Sequence, residues 1–308
     1  MDIDGVNVLT AHKVGISNHK GVLGMLKRKV EKFKQWPDEH GEIYNVDNAY
    51  FNARTISLEG FVYGDSLTEF NDNLSQFQRI MEQPGLRCFE FYGVEQAFFC
   101  YSKEGATASP VNRLRDGRNA ARFQLKLYEP EPYMPVVKVS ASATASLVIA
   151  LTGKCRIYWG DGQYSNVTAG ATYSHSYDSS GYYWIGITGN IGSITTIETS
   201  SGTFTGDLGL LLRGLDSLYI LDAPSENFTA FNGGLIPRTL GMMNLASNNI
   251  SQGGIDRLLK SLWWDGRNHA SDRIGGMNVY MQGNTAPSSV GSTFKSKVDP
   301  HIGTLQTD

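Results

Sequence analysis

The order of apolar and polar residues between positions 50 and 87 predicts a strand, a turn, one amphipathic helix and a second strand. Ile56, Leu58 and Phe61 are separated by small and charged residues, as in a half-buried strand. Apolar residues then recur at intervals of four, three and four, which is one stripe of a helix: Phe70, Leu74, Phe77 and Met81. The pattern predicts a helix packed on a sheet.

Both ends of this helix carry local signals. Ser66 stands three residues before Glu69, so the hydroxyl and the carboxylate can accept free backbone N–H groups at a helix start. Pro84 and Gly85 end the helix, because proline interrupts the hydrogen-bond ladder and glycine tolerates left-handed backbone angles.

Two of the three cysteines fall on a predicted hairpin. Its arms are Leu86–Tyr92 and Gln96–Ser102, with the turn near Gly93, and in that register Cys88 lies opposite Cys100. A disulfide between them requires close geometry, and production in the cytoplasm favours the reduced thiols. No C-x-x-C spacing for zinc or redox chemistry occurs.

A proline-rich linker, Glu129–Pro135, precedes a second region whose apolar runs predict further strands at Val136–Val139 and Ser146–Leu151. The run Cys155–Gly162, which reads CRIYWGDG, then predicts a buried tryptophan followed by a tight turn. The single carboxylate of Asp161 has no D-x-D-x-D ladder around it, and His175 has no second ligand at metal spacing. Both residues are expected to be structural.

A repeat pattern appears in the third region. The stretch Leu240–Ile250 fits L-x-x-L-x-L-x-x-N-x-L, with Met243 at the second position, and Asn248 is expected to bond backbone groups. Three apolar residues with the same spacing begin 25 residues earlier at Leu215, and three more begin 34 residues later at Ile274. Between the last two units, one helical face is apolar: Ile255, Leu258, Leu259, Leu262 and Trp263.

So few repeats bury too little surface to be stable alone, so this block is expected to pack on the region before it. Its exposed sheet face is the natural binding surface. Tyr219 and Tyr280 are predicted at comparable outward positions, where aromatic rings suit a sugar or a partner protein. Both tyrosines fit equally well as ordinary strand residues without a binding role.

Composition supports a chain of strands and turns. Of 308 residues only 19% are charged, whereas there are 34 glycines and 15 tyrosines. The net charge of −3 provides no general field for nucleic acid or an anionic membrane, so neither is expected as a partner. The basic run Lys27–Lys29, with Lys32 and Lys34, contains apolar residues and is interpreted as a solvated strand or loop face.

No export signal or apolar run of membrane-spanning length is found, so the protein is expected to be made in the cytoplasm. Enzyme signatures are also missing, including G-x-S-x-G, H-E-x-x-H and a phosphate loop. We therefore expect no catalytic residue, cofactor or metal ion. A carboxylate dyad assembled only by the fold remains open.

Several motifs together resemble the N-terminal module of phage distal tail proteins. They are the segments Ile3–Asn7, Trp36–Gly41 and Ala53–Gly60, followed by the strand, helix and Pro-Gly stop described above. The resemblance covers residues 1–131 and implies a homo-oligomeric, hexameric ring that contacts the tail tube and a baseplate or hub protein. It also implies a virion tail component assembled in the cytoplasm of a bacterial host.

The second region resembles the PKD-type immunoglobulin-like domain, in which W-G-D-G is followed by H-x-Y and G-x-Y. Here these are Trp159–Gly162, His175–Tyr177 and Gly181–Tyr183. The third resembles degenerate leucine-rich repeats. The expected fold is a mainly β, multidomain chain: an α+β assembly domain at 1–131, a β-sandwich at 136–199 and a short leucine-rich-repeat-like α/β region at 200–308.

Two classes of function follow from these resemblances. The first is a distal tail or baseplate ring protein whose outer domains contact a host-surface glycan or protein. The alternative is a bacterial cell-surface adhesin or glycan-binding protein, because PKD-like domains and leucine-rich repeats also occur together on cell surfaces. The missing export signal and the tail-like first domain favour the former. A tail-associated hydrolase is the third and least favoured class.

Overall fold

The computed structural model describes residues 1–29, 50–111, 117–142, 144–268, 277–298 and 304–307. The chain divides into two compact units: Met1–Tyr92 with Phe98–Tyr133, and Gly93–Ala97 with Met134–Asp308. Strands predominate in both units, which confirms the predicted mainly β class. The predicted segment Trp36–Gly41 and the basic residues Lys32 and Lys34 lie outside the described residues.

Among its described residues, the first unit is one seven-stranded sheet with a short helix and a longer helix, and the longer one packs on the sheet. In chain order its elements are β1 (Asp2–Ile3), β2 (Val6–Asn7), α1 (Val8–His12), β3 (Val14–Lys20), β4 (Arg54–Gly64), α2 (Leu67–Glu82), β5 (Arg87–Glu90), β6 (Ala97–Val111) and β7 (Asn119–Glu129). The strands lie in the order β2-β1-β5-β6-β7-β4-β3. The predicted strand, helix and strand are therefore β4, α2 and β5.

The caps of α2 follow the sequence signals with one change. The Ser66 hydroxyl accepts the backbone N–H of Glu69 at 3.1 Å, as predicted. The Glu69 carboxylate accepts the N–H of Asp65 at 2.9 Å, one residue earlier than the predicted reciprocal bond to Ser66. At the other end Gly85 has a φ of 91°, which turns the chain towards β5.

The apolar stripe of α2 faces the sheet. Phe77 is fully buried, and its ring centroid lies 5.1 Å from that of Phe123 on β7. The other three stripe residues are half-buried. Asn73 is also buried on this face, and its side-chain amide donates to the carbonyl oxygen of Tyr63 at 3.0 Å. That amide links the helix to the end of β4, a contact that the apolar pattern did not indicate.

A buried ion pair joins the neighbouring strands β4 and β7. Arg54 Nε on β4 lies 3.0 Å from Glu129 Oε2 on β7, and the Glu129 side chain is 2% exposed. The predicted hairpin is β5 with β6, which are neighbouring strands, and Cys88 and Cys100 are buried there without a disulfide. Burial, reinforced by the Glu129 carboxylate, raises the pKa of the Cys100 thiol well above its usual value. A thiol in this setting is a poor nucleophile.

Among its described residues, the second unit contains two sheets, three α-helices and a short 3-10 helix at Ile191–Ser193. In chain order its elements are β8 (Val136–Ala141), β9 (Thr144–Leu151), β10 (Cys155–Tyr158), β11 (Tyr164–Val167), β12 (Ala171–Ser176), β13 (Gly181–Gly189), β14 (Ile194–Ser201), β15 (Thr203–Asp207), α3 (Leu208–Leu211), β16 (Ile220–Asp222), β17 (Asn227–Ala230), β18 (Met242–Asn244), α4 (Gln252–Asn268), β19 (Asn278–Tyr280), α5 (Ser289–Val298) and β20 (Thr304–Gln306).

One sheet of this unit continues from antiparallel sandwich strands into parallel repeat strands. Its order is β12-β9-β14-β16-β18-β19-β20, and the pairing becomes parallel between β14 and β16. The other sheet has the order β11-β10-β13-β8-β15-β17. Buried residues of the sandwich and of the repeats form one continuous hydrophobic core. The predicted boundary between a domain at residues 136–199 and one at residues 200–308 stays a prediction.

The W-G-D-G turn joins β10 to β11 as the pattern predicts. Trp159 is fully buried in the core, and its indole N–H donates to the hydroxyl of Ser165 at 2.9 Å. Gly160 has a φ of 86°, and a Cβ on it would lie 2.4 Å from the carbonyl oxygen of Trp184. Tyr177 returns its hydroxyl to the carbonyl oxygen of Trp159 at 3.0 Å, which is the predicted bond to the backbone.

The repeat strands lie in a different register from the one predicted. Leu221 pairs with Met243, 22 residues later, and Met243 pairs with Val279, 36 residues later. The predicted offsets of 25 and 34 residues are therefore wrong by three and two residues. Of the predicted apolar residues on α4, the first four are buried and Trp263 is half-buried.

Candidate functional site

The sheet of the first unit has an open edge at β3. This seven-residue strand pairs with β4 on one side, and among the described residues no strand pairs with its other side. The residues from Ser17 to Lys20 are exposed. An edge of this length presents a row of backbone donors and acceptors to another chain.

A second open edge lies on β6. This strand has 15 residues, whereas its neighbour β5 has four, so the far half of β6 pairs only with β7 among the described strands. Residues 107–110 of this half are exposed. Their sequence is Thr-Ala-Ser-Pro, without charge.

These two edges lie at the same level of the sheet. Asn18 on β3 pairs with Glu59 on β4. Glu59 pairs with Gln124 on β7, and Gln124 pairs with Thr107 on β6. Among the strands that the structure describes, these four therefore form a segment with an open edge on each side, and the two edges are different surfaces.

A bulge separates the two halves of β6. The pairing with β7 shifts between Ser102 and Ala106. Within the bulge, Glu104 accepts a hydrogen bond from the Tyr128 hydroxyl at 2.6 Å and another from Lys126 Nζ at 3.0 Å. The bond from Tyr128, followed by Lys126, lowers the pKa of the Glu104 carboxyl. The cluster lies at the bulge, between the two halves of β6.

The outward face of this four-strand segment is polar. On β4 and β7, buried residues alternate with exposed ones, so one face carries the core and the other faces away from it. The exposed residues of these two strands carry charges of both signs: Thr55, Glu59, Phe61, Arg122, Gln124 and Lys126.

In the second unit, the sheet of the repeats presents another surface. Ile197, Leu221, Met243 and Val279 form a buried row, so the residues on either side of them face outwards. One outward row crosses five strands in register and carries acids, amides and one ring: Glu198, Asp222, Asn244, Tyr280 and Gln306. Asn244 donates to the Asp222 carboxylate at 2.9 Å.

The two predicted tyrosines are not in comparable positions. Tyr280 is the last residue of β19, half-buried in the outward row. Tyr219 precedes the first residue of β16 and is 58% exposed, with its ring directly over Gly241. They therefore lie at opposite ends of the short strands, with β18 between their strands. The misaligned register explains the error in position, and the binding role stays a prediction.

Asparagine side chains connect successive repeats inside the turns. Asn248 Oδ1 accepts the N–H of Phe228 at 3.0 Å, and its amide donates to the carbonyl oxygens of Ala223 and Leu245 at 2.8 and 3.0 Å. Asn248 is thus structural, as predicted. The bonds satisfy backbone groups that the turn would otherwise leave buried and unpaired.

Asn284 repeats this arrangement one turn later. It accepts the N–H of Ile250 at 3.1 Å and donates to the carbonyl oxygens of Leu245 and Met281 at 2.7 and 2.9 Å. Asn284 follows Met281 by three residues, as Asn248 follows Leu245. That shared spacing was the signal that could have given the correct register of the third repeat.

Asp161 and His175 form a close pair beside the W-G-D-G turn. Asp161 Oδ2 lies 2.6 Å from His175 Nε2, and Asp161 Oδ1 accepts the N–H of Gln163 at 3.0 Å. The His175 ring stacks on Trp159 with 5.3 Å between centroids. These contacts give the pair a structural role in holding the turn.

Within the part of the chain that the structure describes, no three histidine, cysteine or acidic side chains are grouped closely enough to hold a metal ion. No helix in the same ranges is both long and apolar enough to cross a membrane.

No family model matches the chain, and no curated protein matches it. A solved structure that it resembles is described as the SPP1 Dit (gp 19.1) protein, a paradigm of the hub adsorption apparatus in phages that infect Gram-positive bacteria. The two chains are 13% identical, and the alignment covers 60% of this chain and 77% of the other with a TM-score of 0.34.

Proposed function

We propose that this chain is a structural component of a phage or prophage tail, and not an enzyme. In this proposal residues 1–131 join further copies in a closed ring at the distal end of the tail. The ring contacts the tail tube on one side and a baseplate or hub protein on the other, and six copies is the number that the family resemblance implies. The protein would reach the virion tail from the cytoplasm of the infected host.

The observation that carries this proposal is the pair of open edges on β3 and β6. Strand addition at a sheet edge supplies main-chain hydrogen bonds without any special side chain. Because the two edges are different surfaces, joining β3 of one copy to β6 of the next makes a head-to-tail contact. Such contacts close into a ring when the rotation between copies permits it.

A proline on the open edge of β6 is expected to block assembly. Pro110 has no N–H, which indicates that its position does not donate to β7. Ala108 lies two residues earlier, so its N–H points to the same open side. Ala108→Pro would remove that donor and leave the bonds to β7 intact. Analytical ultracentrifugation of the full chain should show assemblies for the natural protein and monomers for this variant.

Ala108→Ser is the matched control, because it changes the same residue and retains the N–H. It should assemble like the natural protein, and circular dichroism and thermal unfolding should show that Ala108→Pro is folded. A folded Ala108→Pro variant that assembles as well as Ala108→Ser would contradict the use of this edge.

The outward face of the repeat sheet is proposed to bind a glycan or a protein on the host surface. Support comes from the exposed ring of Tyr219 at the start of the repeat strands and from the outward row of acids and amides that contains Tyr280, since hydroxyl-rich ligands use both kinds of group. Alanine at both tyrosines should weaken adsorption of the folded protein to host cells about tenfold or more.

Tyr182→Ala is the control for this experiment, because Tyr182 is 62% exposed on the other sheet of the same unit. It should leave adsorption unchanged. Equal adsorption by the double variant and this control would show that the host contact does not lie on the repeat face.

A further inference from the structure

Asn232 and Gly233 form the one Asn-Gly dipeptide of the sequence. They lie in the loop that follows β17, and both residues are exposed. An asparagine side chain can react with the backbone nitrogen of the next residue, because the chain itself holds the two groups close together. A side chain on that next residue crowds the attack, and glycine has none. Steric hindrance to this reaction is therefore lowest at Asn232.

The backbone nitrogen of Gly233 is open to such a reaction. Gly233 has a φ of 112°, in the region that favours glycine, and a Cβ built on it would meet nothing within 4 Å. Among the described residues, none accepts a hydrogen bond from the Gly233 N–H. This nitrogen can approach the Asn232 side chain without first breaking a hydrogen bond.

The side-chain carbonyl of Asn232 is held by Arg257 on α4. Arg257 Nη2 donates to Asn232 Oδ1 at 3.2 Å, and Arg257 Nε donates to the carbonyl oxygen of Phe231 at 2.6 Å. Because a guanidinium group only donates, the atom that it faces is the carbonyl oxygen and not the amide nitrogen. Within the described ranges, Asn232 Nδ2 has no hydrogen-bond partner. The group that would have to leave is therefore unrestrained.

The backbone of Asn232 is fixed on its other side by Asp207. The Asn232 N–H donates to Asp207 Oδ1 at 3.0 Å, and the same oxygen accepts the N–H of Gly209 at 2.9 Å, at the start of α3. Asp207 thus anchors the residue but makes no contact with its amide. The reacting amide is in contact with a positive charge, and the negative charge contacts only the backbone.

We propose that Asn232 is a modification site, at which the folded protein converts its own side-chain amide to a carboxylate with assistance from Arg257. The Gly233 nitrogen attacks Cγ of Asn232, and the new N–Cγ bond closes a cyclic imide. The Gly233 proton passes through solvent to Nδ2, the Cγ–Nδ2 bond breaks, and ammonia leaves. Water then opens the imide at either of its C–N bonds and gives aspartate or isoaspartate. The net change is hydrolysis of an amide, without oxidation or reduction.

Arg257 assists because negative charge develops on Oδ1 as the nitrogen attacks. A positively charged donor that already contacts this oxygen stabilises the intermediate more than it stabilises the neutral amide. The contact is exposed to solvent, which limits its worth to that of a surface ion pair. We therefore expect Arg257 to accelerate the reaction about fivefold.

The asparagines of the repeat turn lack these features. The N–H of Asn249, which follows Asn248, donates to the carbonyl oxygen of Phe228 at 3.1 Å. The N–H of Ile250, which follows Asn249, donates to Asn284 Oδ1 at 3.1 Å. In both cases the attacking nitrogen is already bonded, and the residue that carries it has a side chain. Asn249 is exposed like Asn232, so it serves as an internal control.

Incubation of the purified full chain in mildly alkaline buffer, followed by peptide mapping with mass spectrometry, tests the proposal. The peptide that contains Asn232 should acquire aspartate and isoaspartate forms, and ion-exchange chromatography should show a more acidic protein accumulating. Asn249 should remain an amide in the same digest. Arg257→Met keeps a long side chain without the charge and should slow the conversion about fivefold.

Two further measurements keep the result unambiguous. Asn232→Ser removes the reactive amide and should abolish the acidic form. The natural chain unfolded in guanidinium chloride gives the rate of the dipeptide without Arg257, and the folded chain should react at least as fast. An amide at Asn232 that survives in the folded chain but reacts in the unfolded one would overturn the proposal. Equal rates in the natural protein and a folded Arg257→Met variant would overturn the part assigned to Arg257. None of these outcomes depends on the proposed role in a tail.

Discussion

Replacing Trp159 with alanine is expected to cost the second unit about 4 kcal/mol of unfolding free energy, the largest effect of any change considered. Trp159 is fully buried, stacks on His175 and donates its indole N–H to Ser165. Alanine would leave a cavity and an unpaired Ser165 hydroxyl in the middle of the sandwich. Urea or guanidinium unfolding, followed by near-ultraviolet circular dichroism, measures the loss.

Two control variants distinguish the loss of core packing at Trp159 from the loss of any aromatic residue. Trp159→Phe keeps a ring in the cavity and loses only volume and the bond to Ser165, so it should cost roughly half as much. Trp263→Ala removes a half-buried tryptophan that packs on Phe294 at the side of α4 and should cost less still. If Trp159→Ala is no more damaging than Trp263→Ala, Trp159 is not the centre of the core.

The second large effect is expected at Asn248. Alanine there leaves the buried N–H of Phe228 and the carbonyl oxygen of Ala223 without their partner. The carbonyl oxygen of Leu245 keeps a donor, since Asn284 also bonds it. With two buried groups unpaired, we expect a loss of about 3 kcal/mol.

Asn249 supplies a matched control, because it is the next residue, has the same side chain and is exposed. Asn249→Ala should change the unfolding free energy by less than about 0.5 kcal/mol. Equal effects of the two alanine substitutions would show that the turn bonds of Asn248 contribute nothing to stability.

Local signals predicted the elements whose determinants are close in sequence. The helix α2 begins at its Ser66 cap and ends before Gly85, and the W-G-D-G turn buries Trp159, because each depends on residues within a few positions. The resulting α+β and β-rich regions follow from the same local patterns.

The predicted register of the repeat strands was wrong for a physical reason. Leu215 and Leu218 precede the first repeat strand, yet both are buried, so the apolar pattern fits two alignments equally well. The position of the asparagine resolves this ambiguity. Asn248 and Asn284 each accept a backbone N–H from the preceding repeat, Phe228 and Ile250 respectively, and this fixes the alignment of the repeats.

Glu226 holds the position equivalent to these asparagines one turn earlier, five residues after Leu221, and its Oε2 accepts the N–H of Phe204. No signal in the sequence marks it, because only the strand pairing identifies a glutamate as the equivalent of an asparagine.

The open edges could not be predicted from the sequence. An edge is defined by which strands fail to pair, and this depends on long-range register. The far half of β6 is an edge because β5 has only four residues, and the bulge before it, where Glu104 meets Tyr128 and Lys126 of β7, arises only once these strands are paired. Glu104 is 22 and 24 residues from Lys126 and Tyr128, so the three residues carry no recognisable motif.

Electron microscopy of the purified full chain tests the central claim most directly. Negative-stain images over a range of concentrations, with masses from light scattering, should show closed rings of one stoichiometry, six copies by the resemblance to distal tail proteins. The Ala108→Pro variant in the same buffer should show single particles. A natural protein that stays monomeric at high concentration, or forms open fibres of no fixed length, would contradict the assignment as a ring-forming tail component.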